Sequence, residues 1–543
     1  MTSPENNVLS VLRAVAARLP DRAALIAPAS DGKEGRITFA ELRDRIDRVA
    51  GGLRRIGLQP GERAIVMVPM SIDLYVVMLA VLQIGAVAVF VDPWIGPRQI
   101  AAFAAFAEPR AWIGIPRSHL LRLFSGALRS IPLSVTTGFR LGGLPARCNL
   151  SELESESGDA ISPIAPVEPD APALITFTSG SSGEPKGANR THGFLLAQQR
   201  ALAAEFPAEE GDVDMAMFPV FALNNLAVGV PTVVPAMDFR RVDKVEAARV
   251  LHQMAEHRVT TCTASPPFFD RLAAHLASFH TEMLSLRRLL TGGAPVSDAQ
   301  LAVWRRALPR TEILVAYGST EAEPVAHLSA EERLSAVNDV RPETPGYCAG
   351  RPVERVRARV IRIHDGPVEL GPQGWAEWGL PDGEIGELVV AGEHIGRDYY
   401  KNPRAVRENK ILDADHAVWH RMGDTGSFDG EGRFWIAGRV HSTIRRGGTL
   451  VHPQLVEQAA RGEDPRIVRV AALGMPDPQV GERVVVVVET SAGEELRPEV
   501  EVRLRAAGLP FDEILLLDEP LPVDPRHNSK IDYRALRERL EKG

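Results

Sequence analysis

A short segment of the chain, residues 176–187, combines glycines, hydroxyl side chains and a lysine at a spacing suited to binding phosphate. It reads T-F-T-S-G-S-S-G-E-P-K-G. Glycines let backbone N–H groups approach an anion closely, and hydroxyls with Lys186 complete an anion cradle. The apolar run at 173–178 is typical of a strand. The pattern predicts a strand that runs into a loop for a nucleotide triphosphate.

The spacing differs from G-x-x-x-x-G-K-[ST], so the segment is not a Walker loop. A flexible Ser/Gly linker is the alternative, but linkers rarely carry Pro-Lys-Gly after an apolar strand. The residues expected to cradle phosphate are Thr178, Ser179, Gly180, Ser181, Ser182, Gly183 and Lys186.

Four further motifs follow in the chain. Taken singly, each has an ordinary explanation: a loop, a turn at a strand end, an aspartate beside glycine or a solvated lysine. Two of them follow apolar runs that are typical of strands. The motifs are G-G-A-P at 292–295, Y-G-S-T-E at 317–321, H-R-M-G-D-T-G at 420–426 with Gly438-Arg439, and P-V-D-P-R-H-N-S-K-I at 522–531.

The elements around these motifs predict an α/β protein. Thr38 and Glu41 form a capping box at a helix start, and apolar runs at 63–68, 111–115 and 313–316 are typical of strands. Alternation of helix and strand patterns favours largely parallel sheets. We expect a solvated connection over 152–169, which is rich in Ser, Glu, Asp and Pro.

One apolar segment, residues 74–91, is long enough to suggest a membrane span. Gln83 and Gly85 interrupt it, and Asp92-Pro93 ends it. We predict instead a buried helix to about Ile84 and a buried strand over 86–91.

Composition limits the class of protein. The 543 residues suggest more than one domain, and 45% hydrophobic with 24% charged residues is typical of a globular protein. A net charge of −8 gives no electrostatic case for nucleic acid or an acidic membrane as main partner. Three widely spaced cysteines, Cys148, Cys262 and Cys348, indicate neither a zinc site nor a disulfide framework. The N-terminal residues have neither the basic region nor the long apolar region of a secretory signal. Together with the spacing of the cysteines, this favours a reducing, cytoplasmic compartment.

The five motifs, in this order, resemble the adenylate-forming superfamily of acyl-CoA synthetases, peptide-synthetase adenylation domains and luciferases. The resemblance implies a large N-terminal domain of stacked αβ sheets and a small, mobile α+β C-terminal lid. A pattern break at Gly438-Arg439 and an apolar run at 484–488 predict a core domain over 1–438, a hinge at 439–441 and a lid over 442–543 that ends in a charged helix. His441 stands where relatives carry a hinge aspartate.

The resemblance also implies what the motif residues do. The turn with Gly293, Ala294 and Pro295 lines an adenine pocket. Tyr317 stacks on adenine, as an aromatic face suits a planar base, and Gly318 is a further nucleotide-binding residue. Thr320 contacts the α-phosphate, and Glu321 binds Mg²⁺.

In the same relatives the aspartate that aligns with Asp424 binds the ribose hydroxyls, since an acceptor-only carboxylate suits a vicinal diol. Arg439 contacts the ribose or the phosphates. Lys530 bridges the substrate carboxylate and ATP, offsetting the repulsion between two anions that must meet. ATP and Mg²⁺ are the implied cofactors, and the reaction joins a carboxylate to AMP with release of pyrophosphate.

Longer sequence stretches in and around these motifs resemble the β-lactone synthetases of bacterial olefin biosynthesis. The similar stretches are 114–120, 218–223, 317–326, 419–424 and 522–531. In that branch a β-hydroxy acid is adenylated, and its own hydroxyl then attacks the activated carbonyl. The partner implied is a small carboxylic acid with a β-hydroxyacyl chain, and association with pathway enzymes is a further expectation.

Two alternatives stay open. Gly448, in a loop that lines a pantetheine tunnel in CoA-using relatives, keeps acyl-CoA ligation as the second candidate. A catalytically silent homologue is the third, although Lys186, Glu321, Asp424 and Lys530 are all present. Ala222 stands where many CoA synthetases have histidine, and Phe221-Ala222 offers no carboxylate for an α-amino group. Phe218, Phe221, Ala222 and Phe268 are the expected acyl-pocket residues, with ordinary core aromatics as the alternative.

Overall fold

The computed structural model describes residues 1–28, 33–91, 95–138, 146–155, 162–178, 186–279, 283–340, 346–462, 464–523 and 531–542. Helices and strands alternate through most of this length. In chain order the strands are β1 (Ala23–Pro28), β2 (Glu34–Thr38), β3 (Arg63–Met67), β4 (Val87–Phe90), β5 (Ala111–Gly114), β6 (Leu133–Thr136), β7 (Cys148–Asn149), β8 (Pro172–Thr178), β9 (Lys186–Thr191), β10 (Asp214–Ala216), β11 (Thr232–Val233), β12 (Thr261–Ala264), β13 (Arg288–Gly292), β14 (Glu312–Ser319), β15 (Ala322–Ser329), β16 (Tyr347–Pro352), β17 (Arg357–Ile361), β18 (Gly386–Ala391), β19 (Lys410–Leu412), β20 (Val418–Phe428), β21 (Phe434–Arg439), β22 (Ile444–Arg446), β23 (Thr449–Val451), β24 (Ile467–Asp477), β25 (Gly481–Thr490) and β26 (Glu513–Leu517).

The helices are α1 (Leu9–Arg18), α2 (Phe39–Ile56), α3 (Ile72–Gln83), α4 (Pro97–Ala107), α5 (Pro116–Phe124), α6 (Gly126–Arg129), α7 (Leu150–Ser155), α8 (His192–Glu205), α9 (Pro219–Val228), α10 (Ala247–Glu256), α11 (Pro266–Phe279), α12 (Asp298–Ala307), α13 (Ala330–Val340), α14 (Pro403–Asn409), α15 (Pro453–Arg461), α16 (Arg497–Ala506) and α17 (Tyr533–Lys542).

Among the described residues the strands form three sheets. The long sheet has 14 strands in the order β17-β18-β20-β21-β16-β15-β14-β13-β12-β10-β11-β1-β2, with β19 paired to β20. The seven-stranded sheet runs β7-β6-β5-β3-β4-β8-β9, and its strands from β7 to β8 are parallel. The C-terminal sheet has five strands, β23-β22-β25-β24 with β26 beside β25.

One hydrophobic core joins the first two sheets. It contains Ala64 of the seven-stranded sheet and Leu290 of the long sheet, together with apolar residues of α1, α2, α3, α8 and α9. The two sheets are therefore stacked through helices, which confirms the predicted α/β class and its layered N-terminal part.

The apolar segment 74–91 is a buried helix and strand, as expected. Helix α3 contributes Leu74–Gln83 to the interior with every residue buried, and β4 follows within the seven-stranded sheet. No helix in the described part of the chain is long and apolar enough to cross a membrane. The capping box of Thr38 and Glu41 is also present, with both of its hydrogen bonds.

The predicted solvated connection at 152–169 is wrong at its start. Residues up to Ser155 form α7, which Asn149 begins by accepting a hydrogen bond from the Glu152 N–H at 2.7 Å. Leu153 is 1% exposed because it packs on α2. A side chain at Gly52 would meet the Leu153 carbonyl at 2.8 Å, so glycine permits this approach. Composition alone did not show these apolar anchors.

The C-terminal sheet begins at Ile444 and carries α15, α16 and α17. It has its own hydrophobic core, in which the predicted strand at 484–488 is the centre of β25. Helix α15 contacts β21 of the long sheet. The hinge at 439–441 stays a prediction; the structure places a short 3-10 turn at Val440–Ser442.

Glu457 on α15 makes the stability of the C-terminal unit depend on pH. Burial raises the pKa of Glu457 to about 7, against hydrogen bonds from the Tyr533 hydroxyl at 2.6 Å and the Ala472 N–H at 3.0 Å. The folded chain therefore holds a proton that the unfolded chain releases near pH 4.5. Its unfolding free energy should fall by up to roughly 3 kcal/mol as pH rises through this interval.

We expect Glu457→Gln to flatten this dependence and to stabilise the unit above neutral pH. Hydrogen–deuterium exchange of β24 and β25 at increasing denaturant, repeated over a range of pH, measures the unfolding free energy of this unit. Glu495→Gln, at an exposed position, is the control. Equal pH slopes in Glu457→Gln and the wild-type protein would contradict the assignment.

Candidate active site between the two stacked sheets

The predicted phosphate loop joins two paired strands. β8 and β9 are antiparallel, and Thr178 lies opposite Lys186 at their ends. The predicted strand at 173–178 is thus confirmed as β8. Lys186 is the first residue of β9, at the mouth of the loop. The side chain of Thr178 and residues 179–185, with the predicted ligands Ser179, Gly180, Ser181, Ser182 and Gly183, lie outside the part of the structure that is described.

Glu321 lies in the tight turn between β14 and β15. We expected a strand at 313–316 with Tyr317 and Gly318 beyond it, but β14 continues to Ser319 because it pairs with β15. Gly318 lets the two strands approach, since a side chain there would meet the Ala322 carbonyl at 2.6 Å. The hairpin therefore fixes where the Glu321 carboxylate stands.

The segment 395–400 ties this turn to the phosphate-loop strand. The Gly396 N–H donates to the Glu321 carbonyl at 2.6 Å, and Ile395 forms a β-bridge with Ala322 of the long sheet. Tyr399 forms a second bridge, with Ala188 of β9. One short segment, which we call the clasp, thus connects the long sheet to the seven-stranded sheet beside Glu321.

The Tyr399 side chain organises the polar groups at this junction. Its hydroxyl donates to Glu321 Oε1 at 2.9 Å, and Lys186 Nζ stands 4.4 Å from its ring centroid. Lys186 also donates to Asn409 Oδ1 at 2.9 Å. Burial lowers the pKa of Lys186, and the charges of Glu321 and Glu408 oppose that shift.

Glu321 is ionised. Burial alone would raise its pKa, but its coupling to His420, the charges of Lys410 and Lys186 and the Tyr399 hydrogen bond lower it below the usual range. Among the described residues, Tyr399 is the one hydrogen-bond donor to this carboxylate. A carboxylate held anionic with an open oxygen suits a hard cation such as Mg²⁺. Glu321 would hold that ion together with phosphate oxygens.

Lys410 and His420 also face this cluster, and the motifs did not assign either of them. They are cross-strand partners in β19 and β20. Burial lowers the pKa of Lys410 to about 7 and that of His420 to about 3. Lys410 was not identified from the sequence, because this residue stands outside every motif. The one available signal was its position at the start of a short apolar stretch, which could have indicated a strand that faces the interior.

The predicted nucleoside residues come together on neighbouring strands. Asp424 on β20 accepts from the Tyr317 hydroxyl at Oδ2 and from Arg439 Nη1 at Oδ1, both at 2.6 Å. Asp424 is 7% exposed. Each carboxylate oxygen has a further lone pair, so ribose hydroxyls can still be accepted there.

The turn after β13 lies beside Tyr317. Gly292 pairs with Ala316 on β14, and a side chain on it would meet the Ala316 carbonyl at 2.6 Å. Gly293 has φ +76°, where glycine is favoured. Ala294 and Pro295 continue the turn. On the neighbouring hairpin, the Thr320 carbonyl accepts from Arg190 Nε at 3.2 Å.

The expected acyl-pocket residues are not all together. Phe218 and Phe221 stand 6.3 Å apart at the start of α9, and Ala222 beside them is fully buried. Phe268 lies on α11 in a different core, packed edge-on against Phe269 at 5.5 Å. Its surroundings are those of a core aromatic. Lys530, expected at the tip of the lid, lies outside the described residues.

A model of the family described as AMP-binding enzyme matches residues 12–400 of the chain. The chain belongs to the AMP-binding enzyme family. Two relatives in this family are olefin beta-lactone synthetases, from Xanthomonas campestris pv. campestris and Stenotrophomonas maltophilia. Each is 32% identical and covers 98% of this chain, which spans 96% and 97% of them respectively. These matches confirm the predicted resemblance.

Another relative has CoA in its name, and solved structures resemble the whole chain. A feruloyl-CoA synthase from an Amycolatopsis species is 29% identical over 484 residues, covering 87% of this chain and 89% of its own length. The amide bond synthetase McbA from Marinactinospora thermotolerans matches 98% of the chain, and the chain matches 99% of it, with TM-score 0.78 and 23% identity. ATP-bound MatB from Rhodopseudomonas palustris matches with TM-score 0.77 and 22% identity over 99% of each chain. These structures support the fold.

The Tyr399 hydroxyl provides a test of the Glu321 arrangement. Tyr399→Phe keeps the ring under Lys186 and removes the donor to Glu321. A hydrogen bond to a charged group is worth about 1.5–3 kcal/mol, so ATP–pyrophosphate exchange should slow by about 10-fold or more, most clearly at limiting Mg²⁺. Tyr400→Phe is the matched control, because that ring packs on Phe106. An unchanged exchange rate would contradict this role for Tyr399.

Proposed function

We propose that the protein uses ATP to activate the carboxylate of a β-hydroxy acid and closes the resulting acyl adenylate to a β-lactone. The observation that carries the first step is the Glu321 carboxylate, which accepts from the Tyr399 hydroxyl and attracts Lys410 and Lys186, the first residue of β9. The similarity to two olefin beta-lactone synthetases over nearly the whole chain supports the second step.

In the first step a carboxylate oxygen of the substrate bonds to the α-phosphorus of ATP, and the bond to the β-phosphate oxygen breaks with release of pyrophosphate. Lys186 lies beside the phosphate loop, and Lys530 is proposed to bridge the two reacting anions. Asp424, Tyr317 and Arg439 would hold the nucleoside in place. Bound Mg²⁺ would neutralise phosphate charge next to Glu321.

In the second step the β-hydroxyl oxygen bonds to the acyl carbonyl carbon, its proton is lost, and AMP leaves with both electrons of the broken C–O bond. No second substrate enters, so the enzyme needs only to hold the hydroxyl near the carbonyl. Phe218, Phe221 and Ala222 at the start of α9 are proposed to hold the acyl chain. Ala222 leaves this position without a histidine.

Acyl-CoA ligation is the second candidate. Gly447 and Gly448, with φ +57° and +81°, form the exposed turn between β22 and β23. The similar loop in CoA-using relatives lines the pantetheine tunnel, and a feruloyl-CoA synthase is among the relatives. The intact site of Lys186, Glu321 and Asp424 disfavours a silent homologue.

One assay separates the two activities. The protein is incubated with ATP, Mg²⁺ and a long-chain β-hydroxy acid, with and without CoA, and products are identified by mass spectrometry and NMR. We expect a β-lactone, AMP and pyrophosphate without CoA. A thioester formed only when CoA is added would show that the enzyme is a ligase instead.

Lys530 can be tested separately. Lys530→Ala should reduce adenylate formation by at least about 100-fold, because it removes a cation aimed at charge that develops in the reaction. The melting temperature should stay that of the wild-type protein. Lys542→Ala, at an exposed position of α17, is the control. Adenylate formation at the wild-type rate in Lys530→Ala would refute the assignment.

A further inference from the structure

Lys410 is a buried lysine with few partners. Its side chain reaches the interior from β19, and the residue is 7% exposed. Among the described residues its ammonium donates one hydrogen bond, to the Gly396 carbonyl, and forms no ion pair within 4.0 Å. An ammonium has three N–H donors. Burying a charge without a close counter-ion is costly, and an anion within hydrogen-bond reach of Lys410 would offset that cost.

The surroundings of Lys410 identify what completes it. Lys410 Nζ lies 5.2 Å from the centroid of the Tyr399 ring, and Lys186 Nζ lies 4.4 Å from the same centroid. Their electrostatic influence on each other is unfavourable, while Glu321 attracts both. Asp398 also attracts Lys410, and Glu408 also attracts Lys186. The two amino groups thus lie against one aromatic ring, next to Glu321 and to the first residue of β9. An anion with several oxygens would accept hydrogen bonds from both amino groups.

The backbone points the same way. Gly396 donates its N–H to the Glu321 carbonyl and accepts from Lys410 through its own carbonyl. Lys410 is therefore held by the clasp, at the residue that is itself hydrogen-bonded to Glu321. The nucleoside residues Asp424 and Tyr317 form a separate cluster, bonded to each other.

We propose that Lys410 is a second phosphate-binding lysine, which with Lys186 holds the β- and γ-phosphates of ATP and then the leaving pyrophosphate. The inference rests on the proposed use of ATP. Lys410 would contact the part of the nucleotide that departs, so it should matter for adenylation and not for lactone closure.

Calorimetric titration of the full chain with inorganic pyrophosphate, in the presence of Mg²⁺, tests the proposal. Lys410→Met keeps the length of the side chain and removes its charge. We expect pyrophosphate to bind about 10-fold to 100-fold more weakly than to the wild-type protein, the range of a lost charge-assisted hydrogen bond. AMP, which lacks the departing phosphates, should bind as before. Lys410→Arg should restore part of the pyrophosphate affinity.

Lys401→Met is the matched control. Lys401 belongs to the same stretch of chain, is 44% exposed in its side chain and pairs with Glu108 on the surface. Pyrophosphate binding in Lys401→Met should equal that of the wild type. Equal losses of pyrophosphate and AMP binding in Lys410→Met, or no loss of either, would overturn the proposal in favour of a bracing role for Lys410.

Two further measurements test the role of Lys410 without a variant and test lactone formation without ATP. If Lys410→Met does not fold, acylation of Lys410 in the wild-type protein, followed by mass spectrometry, should be slowed by pyrophosphate and not by AMP; equal rates with both would refute the proposal. A synthetic β-hydroxyacyl adenylate tests the proposed function independently. Failure of the wild-type enzyme to convert it to a lactone would reject β-lactone formation and leave pyrophosphate binding by Lys410 intact.

Discussion

The structure depends on keeping one carboxylate, that of Glu321, charged between two stacked sheets. An ionised group in such a place needs compensating charge and hydrogen bonds. Lys186 reaches it from the seven-stranded sheet, Lys410 from the far part of the long sheet, and Tyr399 from the clasp. Each comes from a different part of the chain. The charge of Glu321 therefore favours the same packing of the sheets that the shared core stabilises.

A buried charge pair supports the strand that carries Asp424. Arg421 on β20 donates to Glu387 on β18 at 2.6 Å, and the two side chains are 7% and 3% exposed. Arg421 also donates to the carbonyls of Gly366, Glu408 and His364. With all of these donors satisfied, the start of β20 is fixed three residues before Asp424. The same strand thus carries a structural arginine and, three residues later, the aspartate that is proposed to bind the ribose.

Much of the fold could be predicted from local patterns. Apolar runs located β3, β5 and β8, and the Thr38 capping box located the start of α2, because these signals depend on neighbouring residues. The prediction at 152–169 was wrong where Leu153 packs on α2. The end of β14 was misplaced because pairing with β15 extends it. Both outcomes depend on contacts between distant segments, which a local pattern does not contain.

The site was predicted in the same uneven way. Lys186, Glu321, Asp424 and Tyr317 stand in motifs and do come together in two clusters. Lys410 does not stand in a motif, and its proposed role rests on the pairing of β19 with β20 and on its hydrogen bond to the clasp. Phe268 illustrates the opposite case, since an aromatic pattern alone did not distinguish a pocket from a core.

The ion pair between Arg439 and Asp424 has a consequence for domain motion. Arg439 is the last residue of β21, and the short turn that leads to the C-terminal sheet begins at the next residue. If that sheet rotates about residues 439–441, the rotation acts on a residue hydrogen-bonded to Asp424, the carboxylate proposed to bind the nucleoside. By thermodynamic reciprocity, a nucleotide that favours one orientation of the C-terminal unit must be bound more tightly in that orientation. Arg439 would then make the orientation of the C-terminal unit report on whether Asp424 is occupied.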